Sequence, residues 1–221
     1  SVRGTTLSRL PRLTRLDLSE TKVTDRELPG LAALKGLGHL DLSGTRVTGK
    51  GLRSLSSLPV SDLDLSCSRI DDPGLKSVGR LSRLRRLWIG CGGDSNNLAC
   101  DGAKIASITE NGLAALGALD TLRVLGLRKT RIGLKGLQHL RRLRKLRILD
   151  LSRTRLDDRV ASALPRLFPG LRSIGMAWTK ISKRGLKSLK ALPNLDSVDV
   201  SCSEGVEYTA KVFNAGVLQA L

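Results

Sequence analysis

Aromatic residues are scarce in this chain: Phe, Trp and Tyr make up 2 % of its 221 residues. Readers of single-stranded RNA use several stacking platforms, and Trp88 and Trp178, far apart in the sequence, match that need poorly. Histidine is scarcer still. His39 and His139 stand 100 positions apart, neither beside a nucleophile. No phosphate loop, dinucleotide fingerprint or zinc-hydrolase motif occurs. Nothing assembles an active site, so the expectation is a non-enzyme with no cofactor, no metal and no small-molecule substrate. No run approaches the roughly 18 apolar residues that cross a bilayer, and no membrane insertion is expected.

What is present is a repeat. Aligned on their first apolar residue, the units start at Leu13, Leu37, Val60, Leu84, Leu122, Leu146, Leu171 and Leu195, at intervals of 24, 23, 24, 38, 24, 25 and 24 residues. Counting offsets from that residue, 0, 3 and 5 are nearly always apolar (Leu37, Leu40 and Leu42, for example), and the period-two end of the pattern reads as a short strand with one buried face. Offsets 2, 4 and 6 are then expected to face the other way. Offset 8 is Thr or Ser in seven units, placed to satisfy backbone groups of the adjacent turn. Offset 10 returns an apolar residue to the core. Offset 11 carries residues of the helix N-cap type (Thr24, Thr48, Asp71, Thr109, Asp157 and Ser182), and Thr24 with Glu27 has the capping-box spacing. Leucines three apart follow, as in Leu28, Leu31 and Leu34, and predict a short helix packed against the strands. One unit alone cannot bury its apolar face, so the stack folds as a whole.

The pattern LDLSxTxVTDxxLxxLxxL resembles intracellular leucine-rich repeats of about 24 residues, related to the cysteine-containing subfamily with Thr in place of Cys. The resemblance implies an α/β fold: a right-handed leucine-rich repeat solenoid, or horseshoe, with a parallel concave sheet and short convex helices. It also implies a protein-recognition module, and, through the cysteine-containing repeats alone, a substrate receptor of a ubiquitin ligase. Residues 1–12 read as a partial preceding repeat, 13–203 as eight repeats and 204–221 as a C-terminal cap. The chain opens without Met, as expected of a piece of a longer protein. The fourth unit carries 14 extra residues within 92–107, a loop positioned either to reach over the concave face or as a neutral insertion; register resumes at Ile108.

Cys67, Cys91, Cys100 and Cys202 lack paired C-x-x-C spacing and do not form the clustered caps of secreted leucine-rich repeat proteins. They are expected as free, partly buried thiols in an intracellular compartment, cytoplasmic or organellar; a bridge between Cys91 and Cys100 is the alternative.

Charge is the remaining signal. The net charge is +18, and between Leu122 and Arg155 twelve lysines and arginines face the single Asp150. The repeat sets them in rows: Arg85, Arg123, Arg147 and Arg172 at offset 1, and Arg131 and Arg155 among the offset-9 residues. Arg128, Lys129 and Arg153 belong to the same stretch. Like charges stacked on strands about 4.8 Å apart repel, which points to an anionic ligand rather than to stability. With Trp88 at offset 4 and Trp178 at offset 7 as hot-spot candidates, these residues outline a concave face that grips an acidic protein or protein complex. The alternative is a structural subunit of a ribonucleoprotein, such as an organellar ribosome, resting on RNA phosphates. Asp17, Asp41 and Asp64 at offset 4 are expected as solvated consensus residues, and His39 as an exposed side chain without a partner.

Overall fold

A computed structural model describes residues 10, 12–91 and 107–203, together with the backbone of Phe213–Asn214. Its centre is one nine-stranded sheet in sequential order. The strands are β1 (Arg15–Asp17), β2 (His39–Asp41), β3 (Asp62–Asp64), β4 (Arg86–Trp88), β5 (Val124–Gly126), β6 (Ile148–Asp150), β7 (Ser173–Gly175), β8 (Ser197–Asp199) and β9 (Phe213–Asn214). The first eight are parallel and in strict register, so that Arg15, His39, Asp62, Arg86, Val124, Ile148, Ser173 and Ser197 form one row. β9 closes the far edge antiparallel to β8. The remaining cap residues, residues 1–9 and 11, and residues 92–106 of the insertion lie outside the described residues.

The apolar offsets build a single continuous core. Leu40, Leu42, Leu63, Leu65, Leu125 and Leu149 are buried under the sheet, against Leu28, Leu31, Leu34, Leu186, Leu189 and Leu192 from the helical side. Leu13 and Leu16, in the outermost described repeat, are only partly buried. Burial of this kind, at roughly 25 cal/mol per Å², comes from neighbours in the stack, as expected for a solenoid. Ile108 is buried, and Ser107 pairs with Asp71, so the repeat register resumes after the insertion where the sequence places it.

The helical elements are of two kinds. Asp72–Val78, Leu134–His139, Asp158–Leu167 and Lys183–Ser188 are α-helical, whereas Leu28–Ala33, Gly51–Leu55 and Gly112–Ala118 are 3-10. Three of these α-helices begin where a side-chain cap acts: Asp71 accepts from the Gly74 N–H, Asp157 from Val160 and Ser182 from Arg184, whereas Leu134–His139 starts at Gly133 without one. Thr24 does not cap Leu28–Ala33. Glu27 instead accepts from the Thr24 N–H and hydroxyl, half of the expected box, and the 3-10 turn starts one residue later. Those bonds, the backbone one first, hold the Glu27 carboxyl below its ordinary pKa.

Between strand and helix the chain must reverse, and offset 7 does this with a left-handed backbone. Glu20, Cys67, Lys129, Arg153, Trp178 and Cys202 all have φ between 55° and 60°, and Gly44 has 65°. A side chain is costly in that region, about 1–2 kcal/mol per residue. Three bonds over-determine the turn. The offset-7 N–H donates to the next repeat (Lys129 to Ser152 O, Arg153 to Ala177 O, Trp178 to Ser201 O). The offset-8 hydroxyl donates back to the offset-5 carbonyl (Thr45 to Leu42, Thr130 to Leu127, Thr154 to Leu151). The offset-4 carboxylate accepts the offset-6 N–H (Asp17 from Ser19, Asp41 from Ser43, Asp64 from Ser66, Asp150 from Ser152). Offset 6 is consequently drawn into the turn, with Ser66, Ser152 and Ala177 buried, and does not join the open sheet face as expected.

Candidate binding surfaces

The open face of the sheet is built from offsets 2 and 4 alone. Offset 2 presents Arg15, His39, Asp62, Arg86, Val124 and Ile148; offset 4 presents Asp17, Asp41, Asp64, Trp88, Gly126 and Asp150. Over the first six strands these rows line a groove of about 580 Å³. Its N-terminal half is polar. Asp62 accepts from the Arg86 guanidinium and lies 3.3 Å from His39 Nδ1, so His39 has a partner after all. Burial, followed by Arg15 and Arg86, nevertheless lowers the His39 pKa. Asp17, Asp41 and Asp64 each close a turn; Asp17 is exposed, as expected of a solvated position, whereas Asp41 and Asp64 are half-buried. The Ser19 hydroxyl and N–H hold the Asp17 carboxyl low. Burial raises Asp64, against the Ser66 bonds, and the neighbouring Asp41 charge adds to the rise.

The other half of the groove is apolar. Trp88 lies across Gly126, where a Cβ would overlap its ring, and Val124 and the 38 % exposed Ile148 continue the surface. Of the residues expected to form the binding face, Trp88 alone lines this groove.

The basic residues stand on the two margins of the sheet. Offset 1, just before each strand, carries Arg85, Arg123, Arg147 and Arg172. Arg85, Arg123 and Arg172 are exposed, and Arg172 lies 3.9 Å from an equally exposed Asp196. Arg147 is structural. Its Nη1 donates to the carbonyls of Arg144, Leu146 and Gly170 and thereby ties two successive turns together. The margin beyond the strands carries half-buried Arg128 and Lys129 and exposed Arg131, Arg153 and Arg155. Trp178 joins them, 54 % exposed, with the Arg153 guanidinium 5.0 Å from its ring centre. The expected rows therefore exist but flank the groove, because offsets 1, 7 and 9 belong to turns.

Sequence reasoning missed a column of acids at offset 12. Asp25 accepts from the Thr48 N–H and hydroxyl, Asp72 from those of Thr109, Asp158 from those of Ser182, and Glu110 from the Gly133 N–H. Each bond links one repeat to the next on the helical side. The recurrence of Asp or Glu one place after the offset-11 residue was the available signal. Cys67 departs from expectation in being disulfide-bonded, whereas Cys91 is a buried thiol and Cys202 an exposed one. Cys100, and with it the alternative of a Cys91–Cys100 bridge, lies outside the described residues. Among the described residues no cluster of His, Cys, Asp or Glu could hold a metal ion, and no helix is long and apolar enough to cross a membrane.

The family model described as Leucine Rich repeat matches residues 37–56 and 59–79. Among solved structures, internalin C2 from Listeria monocytogenes is similar at a TM-score of 0.65 and 23 % identity, over 89 % of this chain and 74 % of that one. An internalin (inlF) from the same species is similar at 0.54 and 16 %, over 94 % of this chain and 65 % of that one. No curated protein matches the sequence. On its register of parallel strands, its strand-turn-helix units and these matches, the chain has the leucine-rich repeat solenoid fold.

Proposed function

We propose that the chain is a non-catalytic protein-interaction scaffold that binds an acidic protein along the basic margin beyond the strands. The observation that carries this reading is the exposed Trp178 ring stacked under Arg153, with Arg131 and Arg155 beside it. Tryptophan and arginine supply much of the binding energy at protein interfaces, and a stacked guanidinium keeps its donors free for carboxylates. Opposed charge would add speed of association and selectivity.

The test is calorimetric binding of poly-glutamate and of a mixed-sequence RNA at about 150 mM salt, where surface charges are screened beyond about 8 Å. Saturable poly-glutamate binding, lost in Arg131→Glu/Arg155→Glu, supports the scaffold reading. RNA binding with a steep salt slope and no poly-glutamate binding would transfer it to the ribonucleoprotein alternative. The observation favouring that second reading is the other margin, where Arg85 and Arg123 make no side-chain hydrogen bond or ion pair among the described residues. The ubiquitin-ligase alternative gains no residue-level support.

A further inference from the structure

The groove on the sheet face carries the opposite chemistry from the margins. Its lining holds four carboxylates, on Asp17, Asp41, Asp62 and Asp64, against two guanidinium groups, on Arg15 and Arg86. Both guanidinium groups belong to offset 2, and Asp62 occupies Arg86 and His39. Asp17, Asp41 and Asp64 have no ion-pair partner among the described residues. Each accepts the N–H of its own turn at Oδ1, and the carboxylates recur along a row spaced about 4.8 Å per strand. The row then changes character abruptly. The next residue is Trp88, laid flat over Gly126 and bordered by Val124 and Ile148.

We infer that this groove binds an extended basic-apolar segment of a partner protein, one apolar side chain resting on Trp88, Val124 and Ile148 and a lysine or arginine reaching Asp64 and Asp41. Charge complementarity commits the occupant. An acidic segment would meet three unpaired carboxylates, and a purely apolar one would leave them without solvent or a counter-charge. The dimensions agree. Alternate side chains of an extended segment lie about 6.8 Å apart, so a chain crossing the strands with its apolar residue above β5 places a basic residue between β4 and β3. A lysine or arginine stem spans the remainder to the Asp64 carboxylate. The glycine at 126 matters because any side chain there would lift Trp88 from the sheet and close the apolar half. The +18 net charge does not prevent this, since charges on the margins are screened over about 8–10 Å while the carboxylates lie within the groove.

The experiment uses the full chain with Trp178→Phe, so that Trp88 is the only tryptophan. The probe is a capped pentapeptide of arginine, serine, leucine, serine and arginine, and its counterpart has glutamate at both ends. Saturable change of Trp88 emission with the basic peptide is expected, at a dissociation constant on the order of 1 mM for so short a ligand, with no response to the acidic one. Asp41→Asn/Asp64→Asn keeps an acceptor for both turns and should weaken binding about tenfold or more, with an unchanged circular dichroism spectrum. Arg131→Glu/Arg155→Glu should leave it unchanged, which separates this site from the margin proposed above. Equal response to the acidic peptide, no response to the basic peptide, or full affinity in the folded double Asn variant would each overturn the inference.

Discussion

The guanidinium carbon of Arg153 lies 5.0 Å from the centre of the Trp178 ring, and the two residues occupy the same left-handed turn position in successive repeats. The contact thus follows from the repeat. Side chains that leave a turn at φ near 57° in register run side by side along the margin, so a cation followed by an indole must stack. An exposed pair of this kind contributes about 0.5–1 kcal/mol. A double-mutant cycle of Arg153→Ala and Trp178→Ala in urea unfolding should return a coupling of that size. Coupling indistinguishable from zero would mean that the two rings of atoms are neighbours by geometry alone.

The offset-8 hydroxyl carries more weight than its exposed neighbours. Thr130 is buried and donates to the Leu127 carbonyl at 2.6 Å. Thr130→Val keeps the shape and the Thr130 N–H bond to that carbonyl at 3.2 Å but removes the shorter hydroxyl bond, and should destabilise the chain by about 0.5–1.5 kcal/mol. Thr130→Ser should recover most of the loss, because serine already fills this place at Ser68 with the same bond to Leu65. Denaturant midpoints of the three proteins decide it; a fully stable valine variant would show that the hydroxyl is dispensable.

The strand register, the buried leucines and the hydroxyl ladder were legible because each depends on one residue type at a fixed offset. The left-handed column was not. Offset 7 holds Glu20, Gly44, Cys67, Lys129, Arg153, Trp178 and Cys202, and these share no chemistry, since the conformation is imposed by bonds from offsets 4 and 8 and from the next repeat. That blindness explains the misplaced basic rows. Sequence spacing gave their register correctly, but only the backbone shows that offsets 1, 7 and 9 leave the sheet face. The Asp row was misread in part for a related reason: Asp41 and Asp64 look like solvent-facing consensus residues until their bonds to Ser43 and Ser66 appear.

Asp158 links two repeats at one point through two bonds, to the Ser182 N–H at 2.8 Å and to its hydroxyl. Asp158→Ala leaves that N–H unpaired and weakens the start of Lys183–Ser188. The expected cost is about 1–3 kcal/mol. In a stack whose units contact only their neighbours the loss stays local, so hydrogen exchange should quicken over 182–203 while 37–65 keeps its protection. Uniform loss of protection along the chain would mean that the stack opens as one unit.

Cysteine accessibility gives an independent check on the turn region. Cys202 is an exposed thiol and Cys91 a buried one, and Cys67 is disulfide-bonded. Among the described cysteines, alkylation of the non-reduced protein should label Cys202 in the native state and Cys91 after denaturation, with Cys67 appearing only after reduction. Labelling at Cys67 before reduction would contradict the bond.

Asp17 and Asp64 share a row and a turn bond yet should respond to pH with opposite signs. Asp17 is held below its ordinary 3.8 by Ser19. Its ionised form is therefore favoured by folding, giving stability that is present above 3.8 and lost as pH falls through the lower folded pKa. Asp64 is raised above 3.8 by burial, so folding favours its proton. Its contribution is complete below 3.8 and disappears as pH rises through the higher folded pKa. Asparagine at either position keeps the acceptor for the turn. Asp17→Asn should lower the melting temperature at pH 7 and converge with the parent in acid. Asp64→Asn should raise it at pH 7 and lose that advantage below about pH 3.8. Melting curves of the two variants from pH 3 to 7 measure this directly, and equal signs would mean that burial does not govern Asp64. If the opposite signs hold, the carboxylate kept in the groove beside Trp88 is retained at a cost to stability, as a group held for binding would be.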